Sequence, residues 1–415
     1  MSVYPFMQED LKKLIFSSPD RPFVFLETAL LDEHNTKSFL FKDFSDTLTF
    51  QPKDNVEVFF ERAEELLAKG FWLCGYFTYE FGYFLEGAFA PLRRNLHFPL
   101  AWLGACKAPI VIDHRKCISC PKDSFAKSPY SIRDMRPNIS QEEYALAIGT
   151  IKRYLEEGLT YQVNFTFKMK FDFQGNPIGL YHALRAAQPT SYMALINTGS
   201  HHILSFSPEL FFRKRYDAIV SRPMKGTVRR GISVEEDRKN KDWLKNSKKT
   251  KAENVMIVDL LRNDLGRISK KVWVPSLFDI EKYRTLYQMT STIQAQLKTG
   301  IHMHEIFSSL FPCGSVTGAP KIKTMQIIRG LEKESRGVYT GSIGYFSPKR
   351  DACFNVAIRT IALEENKGEL GIGGGIVYDS TAETEYREAL LKARFLTERR
   401  RPAYQKKPIA FEVVG

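Results

Sequence analysis

Three charged residues near the C-terminus are spaced so that one helix would project them together. Glu385, Glu388 and Lys392 follow an i, i+3, i+7 pattern beside an apolar stripe. Two carboxylates on one helical face could bind a hard cation such as Mg²⁺ through oxygen. The local pattern favours the alternative, a solvated face on which Glu388 and Lys392 form an i, i+4 ion pair.

Two glycine-containing segments could bind an anion through backbone N–H groups. The run 371–375 (GIGGG) is predicted to end a strand in a glycine-rich turn, followed by a helix with a capping box of Ser380 and Glu383. In GSVTGAPK, the N–H groups of Thr317 to Ala319, together with Lys321, would suit a carboxylate or phosphate. A simple tight turn explains the second segment nearly as well.

Lys225 and Glu253 are charged residues that could have either a functional or an ordinary structural role. Lys225 precedes a Gly-Thr turn in RPMKGT; in a dry cleft its pKa would fall and its amine could act as a nucleophile. A solvent-facing lysine is the common alternative, and the local sequence leaves both open. Glu253 begins an apolar helix in AENVMIVDLLRND, where a charge needs a partner or a role.

The elements around these residues predict an α+β protein. Apolar spacing predicts a helix from Val56 to Leu67, and a capping box of Ser140 and Glu143 predicts a second. Residues 161–173 alternate with period two, which predicts a strand with Gln162 on its second face. We place an N-terminal α+β region at 1–135, a second region at 136–407, intertwined with the first as one globular unit, and a tail at 408–415.

Composition excludes several classes of protein. The chain has 415 residues, 43% hydrophobic and 26% charged, which is typical of a globular protein and not of a disordered one. No apolar run approaches the length of a membrane span and the first residues do not resemble a signal peptide, so we expect a cytoplasmic protein without membrane contact. His114, Cys117 and Cys120 have metal-like spacing but no nearby fourth ligand, so ordinary thiols are the better interpretation.

Charge alone would allow a nucleic-acid-binding protein. Sixty Lys and Arg against 47 Asp and Glu leave a net charge of +13, and residues 238–251 form a basic run. Aromatic residues follow strand and helix periods and do not interleave with that run, which argues against nucleic acid as a partner. A small polyanionic substrate explains the charge as well.

Taken in order, the segments of residues 140–400 resemble the chorismate-utilising enzymes. The matching strings are YQVNF, SFSPELFF, RPMKGT, KAENVMIVDLLRNDLGR, GSVTGAPK, GVYTGSIGYF, FNVAIRT and GGGIVYDSTAETEYRE. A weaker likeness extends to LCGYFTYEFG in the first 130 residues. The resemblance implies two large β-sheets packed as a sandwich with helices outside and an active site between them.

The resemblance also implies roles for particular residues. Mg²⁺ would be held by Glu253 and Glu388, with Glu385 as an outer ligand. The substrate would be bound by the following residues of this chain: Thr317, Gly318, Tyr339, Arg359, Gly374, Gly375 and Lys392. No acidic residue stands three positions before Glu253, where Thr250 is found, and Gln288 replaces a histidine of many relatives.

Two positions distinguish among the reactions of the family. Members that add water at C2 of chorismate usually have a lysine where this chain has Gln162, so isochorismate-forming and salicylate-forming activities fit poorly. Members that make anthranilate typically have alanine at the position of Lys225, whereas members that aminate C4 typically have lysine. The resemblance therefore implies an amino-group transfer of the transaminase class, with an anthranilate-forming enzyme as the alternative.

The implied reaction converts chorismate and ammonia into 4-amino-4-deoxychorismate, a precursor of 4-aminobenzoate and folate. Neutral Lys225 would attack C2 while Glu209 protonates the departing C4 hydroxyl, and ammonia would then add at C4 and expel the lysine. None of the six cysteines lies in a Gly-x-Cys-x-Gly turn of a glutamine amidotransferase. A separate glutamine amidotransferase subunit is therefore the expected source of ammonia.

Overall fold

The structure, a computed structural model, describes residues 21–93, 99–116, 129–283 and 286–397. Its α-helices are α1 (Val56–Ala68), α2 (Gln141–Glu156), α3 (Pro177–Ala187), α4 (Val234–Asn246), α5 (Lys248–Ile268), α6 (Met303–Leu310), α7 (Lys321–Leu331) and α8 (Ala382–Thr397). Short 3₁₀ helices span Tyr79–Phe84, Gly87–Leu92 and Gly314–Val316.

The strands come from the whole described length of the chain. They are β1 (Phe23–Glu27), β2 (Lys37–Phe41), β3 (Asp46–Phe50), β4 (Trp72–Phe77), β5 (Ala101–Cys106), β6 (Ile110–Asp113), β7 (Tyr130–Pro137), β8 (Gln162–Gly175), β9 (Tyr192–Asn197), β10 (His201–Ser207), β11 (Leu210–Arg215), β12 (Ala218–Arg222), β13 (Met224–Arg229), β14 (Ser269–Lys282), β15 (Leu286–Leu297), β16 (Gly318–Ala319), β17 (Ser342–Phe346), β18 (Ala352–Val356), β19 (Thr360–Glu364) and β20 (Lys367–Ile376).

These strands form two ten-stranded sheets. In the first the order is β16-β8-β20-β19-β10-β9-β1-β2-β6, with β7 paired to β8; in the second it is β13-β15-β12-β11-β18-β17-β4-β5-β3, with β14 paired to β15. One hydrophobic cluster contains residues from both sheets and from the helices. The predicted α+β fold of two large sheets with helices is therefore confirmed.

The N-terminal strands are distributed over both sheets. β1 pairs with β9 in the first sheet, and β4 pairs with β17 in the second, all in antiparallel register. The boundary that we place at residues 135 and 136 falls inside β7, which pairs with β8. The division into regions stays a prediction, and the tail at 408–415 lies outside the described residues.

Aromatic side chains join the N-terminal half to the rest of the core. The ring of Phe77 on β4 lies 4.4 Å from that of Phe307 on α6 and 5.9 Å from that of Phe354 on β18, measured between centroids. Burial of such large apolar surfaces is the main favourable contribution to folding. Of the helices described, none is long and apolar enough to cross a membrane.

Several local predictions are confirmed. Asn55 caps α1, and Ser140 and Glu143 form the capping box of α2 with both reciprocal hydrogen bonds. β8 alternates as expected, with Val163, Phe165 and later apolar residues buried, although its polar face is also buried as far as Thr166. The basic run 238–251 is helical: it ends α4 and begins α5, with Ser247 between them as the cap of α5.

The predicted capping box of the last helix is wrong. α8 begins at Ala382, and the Thr381 hydroxyl accepts the Thr384 N–H at 3.4 Å. Glu383 instead pairs with Arg387 one turn along the helix. Because the helix begins one residue later than expected, the Ser380 hydroxyl is free to donate to the Glu385 carboxylate at 2.7 Å.

The cysteine prediction can be followed only in part. His114 is buried and its Nε2 lies 2.8 Å from the Ser38 hydroxyl, while Cys117 and Cys120 lie outside the described residues. Within the described ranges no three His, Cys, Asp or Glu side chains gather closely enough to hold a metal ion.

Candidate active site

Lys225 lies on β13, where the strand bulges. The pairing of β13 with β15 shifts register between Lys225 and Thr227, and Gly226 between them has φ of 76°. A Cβ at Gly226 would come within 2.2 Å of the Thr250 side chain on α5. The bulge re-aims the side chain beside it, and only glycine fits the close approach to the helix.

The Lys225 side chain is partly buried. Its Nζ donates to the Ser315 carbonyl oxygen at 3.1 Å. Burial lowers the pKa of this amine from its ordinary value, although the carboxylates of Glu253 and Glu209 oppose the shift. The alternative of a solvent-facing lysine therefore does not describe this side chain.

Glu209 lies between β10 and β11, and 3% of its surface is exposed. Burial raises the pKa of its carboxyl group to about 7, although Ser315, Lys225 and the Met224 backbone partly offset the shift. Its Oε1 is buried and has no hydrogen-bond partner in the described part of the chain. A carboxyl group in this environment can remain protonated near neutral pH and give up its proton in a reaction.

Lys225 and Glu209 are therefore shifted toward their uncharged forms. Each one also opposes the other's shift, which shows that the two groups interact electrostatically. An uncharged amine beside a protonated carboxyl group is a nucleophile beside an acid. Two groups whose pKa values are shifted in opposite directions are typical of catalytic sites.

Glycines of β20 form a second wall of the site. A Cβ at Gly374 would lie 3.4 Å from the Lys392 Nζ and 3.5 Å from Glu385 Oε2, and one at Gly375 would lie 2.5 Å from the Gln162 amide nitrogen. Lys392 itself donates to the Gly373 carbonyl oxygen at 2.8 Å. Side chains from α8 and β8 thus converge over the glycine run predicted from the sequence.

The three predicted metal ligands act on one another electrostatically, but their side chains do not gather into a three-ligand metal cluster in the described structure. Glu385 is buried, whereas Glu388 is exposed and forms the i, i+4 ion pair with Lys392 at 2.9 Å that the sequence favoured. Lys392 lowers the pKa of Glu388. Burial raises the pKa of Glu253, and the negative charges of Glu385 and Glu388 add to that shift.

This set of donors is compatible with Mg²⁺. All three side chains offer carboxylate oxygens, and Glu253 has neither a hydrogen bond nor an ion pair among the residues described. A cation would offset both the burial of the Glu253 charge, which is the main cause of its raised pKa, and the smaller repulsion from Glu385 and Glu388. Mg²⁺ is usually bound by one or two protein carboxylates, and substrate oxygens and water complete its coordination. A magnesium site therefore does not require three protein ligands already gathered around one point.

The other predicted substrate-binding residues differ in how closely they join the site. Gly318 pairs with Val163 beside Gln162, and the Thr317 hydroxyl donates to the backbone of its own loop. A Cβ at Gly371 would lie within 2.1 Å of the Tyr339 ring, which places that ring on β20. Burial raises the pKa of the Tyr339 hydroxyl.

Arg359 is not brought against the other site residues by any contact within the described chain. Its Nη1 donates to the Gln188 side chain at 3.3 Å, and its backbone has φ of 51°. Burial lowers the pKa of the guanidinium, and no carboxylate of the described residues forms an ion pair with it. Such a group is suited to an anionic ligand, as predicted, but its place in the site stays a prediction.

Lys321 has a structural role and is not available to an anion. Its Nζ lies 2.6 Å from the carboxylate of buried Asp264 on α5 and also donates to the Leu310 carbonyl oxygen. The suggestion that Lys321 assists anion binding is therefore wrong. The pair also accounts for Asp264, a charge on the buried face of α5.

Two residues that contribute to the site, Ser315 and Gln162, are not identified as contributors by the sequence analysis. Ser315 holds the Lys225 amine through its backbone carbonyl, which no sequence pattern specifies because any residue has one. The Gln162 amide is buried and neither of its polar atoms has a partner in the described residues. The sequence signal for Gln162 was its place on the polar face of β8, where it served only to exclude other reactions.

Gln288 and Thr250 lie beside Lys225. Gln288 pairs with Thr227 across β13 and β15, and its Oε1 is buried without a partner among the residues described. Thr250 packs on Gly226, and its hydroxyl accepts from Ser247 at 2.9 Å. Gln288 can accept or donate a hydrogen bond but cannot serve as an imidazole acid.

Comparison with known proteins identifies the class to which this fold and site belong. Residues 21–398 match the family model described as chorismate binding enzyme. The chain therefore belongs to the chorismate-binding enzyme family.

Two relatives in this family differ in their activities. The chain is 38% identical over 271 residues to aminodeoxychorismate synthase component 1 of Bacillus subtilis, covering 63% of this chain and 58% of that protein. It is 37% identical over 263 residues to anthranilate synthase component 1 of Pseudomonas putida, covering 63% of this chain and 53% of that protein. The matched part thus spans little more than half of either relative, and identity alone does not separate them.

A solved structure has the same fold. Anthranilate synthase component I from Streptococcus pneumoniae superposes with a TM-score of 0.78 at 25% identity, over 90% of this chain and 94% of that one. The agreement extends over both sheets and is not restricted to the segments carrying the motifs.

Proposed function

We propose that this chain aminates chorismate with ammonia to give 4-amino-4-deoxychorismate, a precursor of 4-aminobenzoate and folate. The observation that carries the proposal is the juxtaposition of Lys225 and Glu209, which burial shifts toward an uncharged amine and a protonated acid. An alanine at position 225 would leave no amine there. The similarity to an aminodeoxychorismate synthase supports the same reaction.

The proposed reaction begins with attack of the Lys225 amine on C2 of chorismate. The two ring double bonds shift, the C4–O bond breaks, and Glu209 gives its proton to the departing hydroxyl so that water leaves. Ammonia then adds at C4, the double bonds shift back, and the C2–N bond to lysine breaks. The Glu209 carboxylate takes the surplus proton from the new amino group, which restores the acid for the next cycle.

We further propose that Glu253 and Glu388, with Glu385, would hold Mg²⁺. When bound, such an ion neutralises a substrate carboxylate and withdraws electrons from the ring. Glu253→Gln and Glu388→Gln should each abolish turnover and weaken the dependence on Mg²⁺. Full activity in both variants, with unchanged response to Mg²⁺, would remove these residues from the metal site.

The ammonia is proposed to come from a separate glutamine amidotransferase subunit. The relative from Bacillus subtilis is named as a component 1, which supports an enzyme of more than one subunit. Activity with free ammonium salts and none with glutamine is the expected behaviour of the chain by itself. Activity with glutamine alone would contradict the need for a partner.

Formation of anthranilate is the rival function. It is supported by the similarity to two anthranilate synthase components. Incubation of the chain with chorismate, Mg²⁺ and an ammonium salt, followed by identification of the product by mass, separates the two. We expect 4-amino-4-deoxychorismate; fluorescent anthranilate, formed without any added lyase, would establish the rival.

A further inference from the structure

Behind the candidate active site lies a buried cluster of three charged side chains. Glu80, Glu332 and Arg336 are almost inaccessible to solvent, and the Glu332 carboxylate lies 2.7 Å from the Arg336 guanidinium. Burial of charges is costly unless every group is paired and hydrogen-bonded. None of the steps of the proposed reaction uses these residues, so their retention in the interior calls for another explanation.

All five N–H donors of the Arg336 guanidinium are used. Nε and Nη2 donate to Glu332 at 2.9 and 2.7 Å, and Nη1 donates to the Val316 carbonyl at 2.8 Å and the Thr340 hydroxyl at 3.2 Å. The remaining Nη2 donor reaches the Asn164 carbonyl at 2.5 Å. A lysine has three donors on one atom and could not make this set of bonds.

Glu80 fixes the backbone on the other side of Arg336. Its two carboxylate oxygens accept the backbone N–H groups of Arg336 and Gly337 at 2.6 and 3.0 Å. The Arg336 guanidinium also lies 4.3 Å from the centre of the Tyr79 ring. The string LCGYFTYEFG, which resembled the family without a stated role, thus supplies two of the residues around Arg336.

The cluster contacts three parts of the site at once. Glu332 accepts hydrogen bonds from the backbone N–H and the hydroxyl of Thr166 at 2.9 Å each. These bonds and the bond from Arg336 to the Asn164 carbonyl both hold β8 in place. Val316 adjoins Ser315, whose carbonyl holds the Lys225 amine. The turn at Gly337 leads directly into Tyr339. A shift of this cluster would therefore move the nucleophile and two walls of the pocket relative to each other.

We propose that Arg336, held by Glu332 and Glu80, is a positioning residue that sets the geometry of the chorismate pocket without touching the substrate. The inference rests on the proposed function in taking chorismate as the ligand. It assigns the N-terminal segment Tyr79–Glu80 a part in positioning the pocket, without contact to the substrate.

The test compares two isosteric substitutions: one at Glu80, whose side chain binds the turn at Arg336 and Gly337, and one at Glu334, two residues before Arg336. In Glu80→Gln, one oxygen is replaced by an NH₂ group that faces a backbone N–H, so the turn must shift. Glu334→Gln is the matched control, because Glu334 is outside the cluster and pairs with Lys170 at 2.7 Å. We expect Glu80→Gln to weaken chorismate binding by about tenfold, and kcat/KM to fall by at least that factor because the nucleophile is displaced as well. The control should bind as the wild type does.

Calorimetric binding of chorismate to the full chain, with thermal unfolding measured in parallel, gives an unambiguous outcome. If the wild type binds chorismate and Glu80→Gln binds it equally well at a lower Tm, the cluster is merely structural and the inference is rejected. Glu332→Gln is the second variant should Glu80→Gln not fold, and failure of both to fold also rejects it. A wild type that does not bind chorismate would reject the proposed function itself.

Discussion

At the scale of single residues, the proposed chemistry depends on two groups, Glu209 and Lys225, whose pKa values are shifted from their ordinary values. Glu209 is shifted mainly by burial, and its unpaired Oε1 shows that few hydrogen bonds stabilise its charged form. Lys225 keeps one hydrogen bond, to a neutral carbonyl, which does not compensate for its partial removal from water. Both shifts follow from the same cause and require no further residue.

The pH dependence of kcat/KM should reflect the titration of both Glu209 and Lys225. The acid step needs protonated Glu209, so kcat/KM should fall as the pH rises through about 7, the raised pKa of this carboxyl group. Attack needs neutral Lys225, so kcat/KM should also fall toward low pH. We therefore expect a bell-shaped profile when the rate is measured at constant free ammonia. A rate that rises steadily to pH 9 would contradict the role of Glu209.

Glu209 should also cost folding stability at alkaline pH. Its folded-state pKa is raised, so its favourable contribution is fully present below the unfolded-state pKa and is lost as the pH rises through about 7. Glu209→Gln should therefore unfold with a free energy about 1–3 kcal/mol higher than the wild type at pH 8, and show little gain at pH 4. Urea titrations at both pH values measure this; an equal effect at both would exclude the linkage.

At the scale of elements, the bulge of β13 against α5 sets the direction of Lys225, the proposed nucleophile. Gly226 allows the strand to approach Thr250 so closely that a methyl group at this position would overlap it. The same helix carries Glu253, and its neighbour α4 contributes Leu244 beneath the bulge. Nucleophile and predicted metal ligand are thus positioned by one strand-to-helix contact.

Gly226→Ala tests this contact. The new methyl group must displace Thr250 and the backbone must hold φ of 76°, so we expect a loss of about 1–3 kcal/mol in unfolding free energy and at least tenfold in kcat. Gly149→Ala is the control, because this helical glycine has open space around it and the change should be neutral or stabilising. Equal activity of both variants would show that the bulge does not aim Lys225.

The sequence predicted elements better than their exact contacts. Helices α1 and α2 and strand β8 have strong periodicity and caps that are local, so they could be predicted from neighbouring residues. For α8 the sequence offers two possible caps, because Ser380 stands three residues before Glu383 and Thr381 stands three residues before Thr384. The sequence prediction chooses Ser380, whereas the structure uses Thr381. The partner of Lys321 is Asp264 on another helix, 57 positions away, and no local pattern indicates it.

For the site, the residue types were predictable and the supporting contacts were not. The glycine run, Lys225 and the paired glutamates could be found from composition and spacing together with the resemblance. Ser315 acts through its carbonyl and Arg336 through the carbonyls of Val316 and Asn164. Backbone groups are present at every position, so only a structure shows which of them are used.

At the scale of the whole molecule, the two halves of the chain share both sheets. β1 covers the edge of β9, and β4 covers the edge of β17. Phe77 of the N-terminal half also lies within the aromatic core. The candidate active site is thus built by the second half of the chain, and the first half supports it through its strands and through Tyr79 and Glu80.

Residues 136–397 expressed alone should therefore not form a stable monomer. Removal of the N-terminal strands would expose the edges of β9 and β17, which are prone to pair with other chains. We expect aggregation in size-exclusion chromatography and no cooperative thermal transition, in contrast to residues 1–415. A soluble, cooperatively unfolding fragment would show that the second half is an independent domain.

The central claim, that Lys225 attacks the substrate ring, is tested most directly by the mass of the protein itself. The chain is mixed with chorismate and Mg²⁺ without ammonia, quenched rapidly and digested. The account predicts that the peptide containing Lys225 gains the mass of chorismate less one water, and that Lys225→Ala gains nothing and makes no 4-amino-4-deoxychorismate. Unmodified Lys225 throughout turnover, or a variant that still makes this product at the wild-type rate, would contradict it.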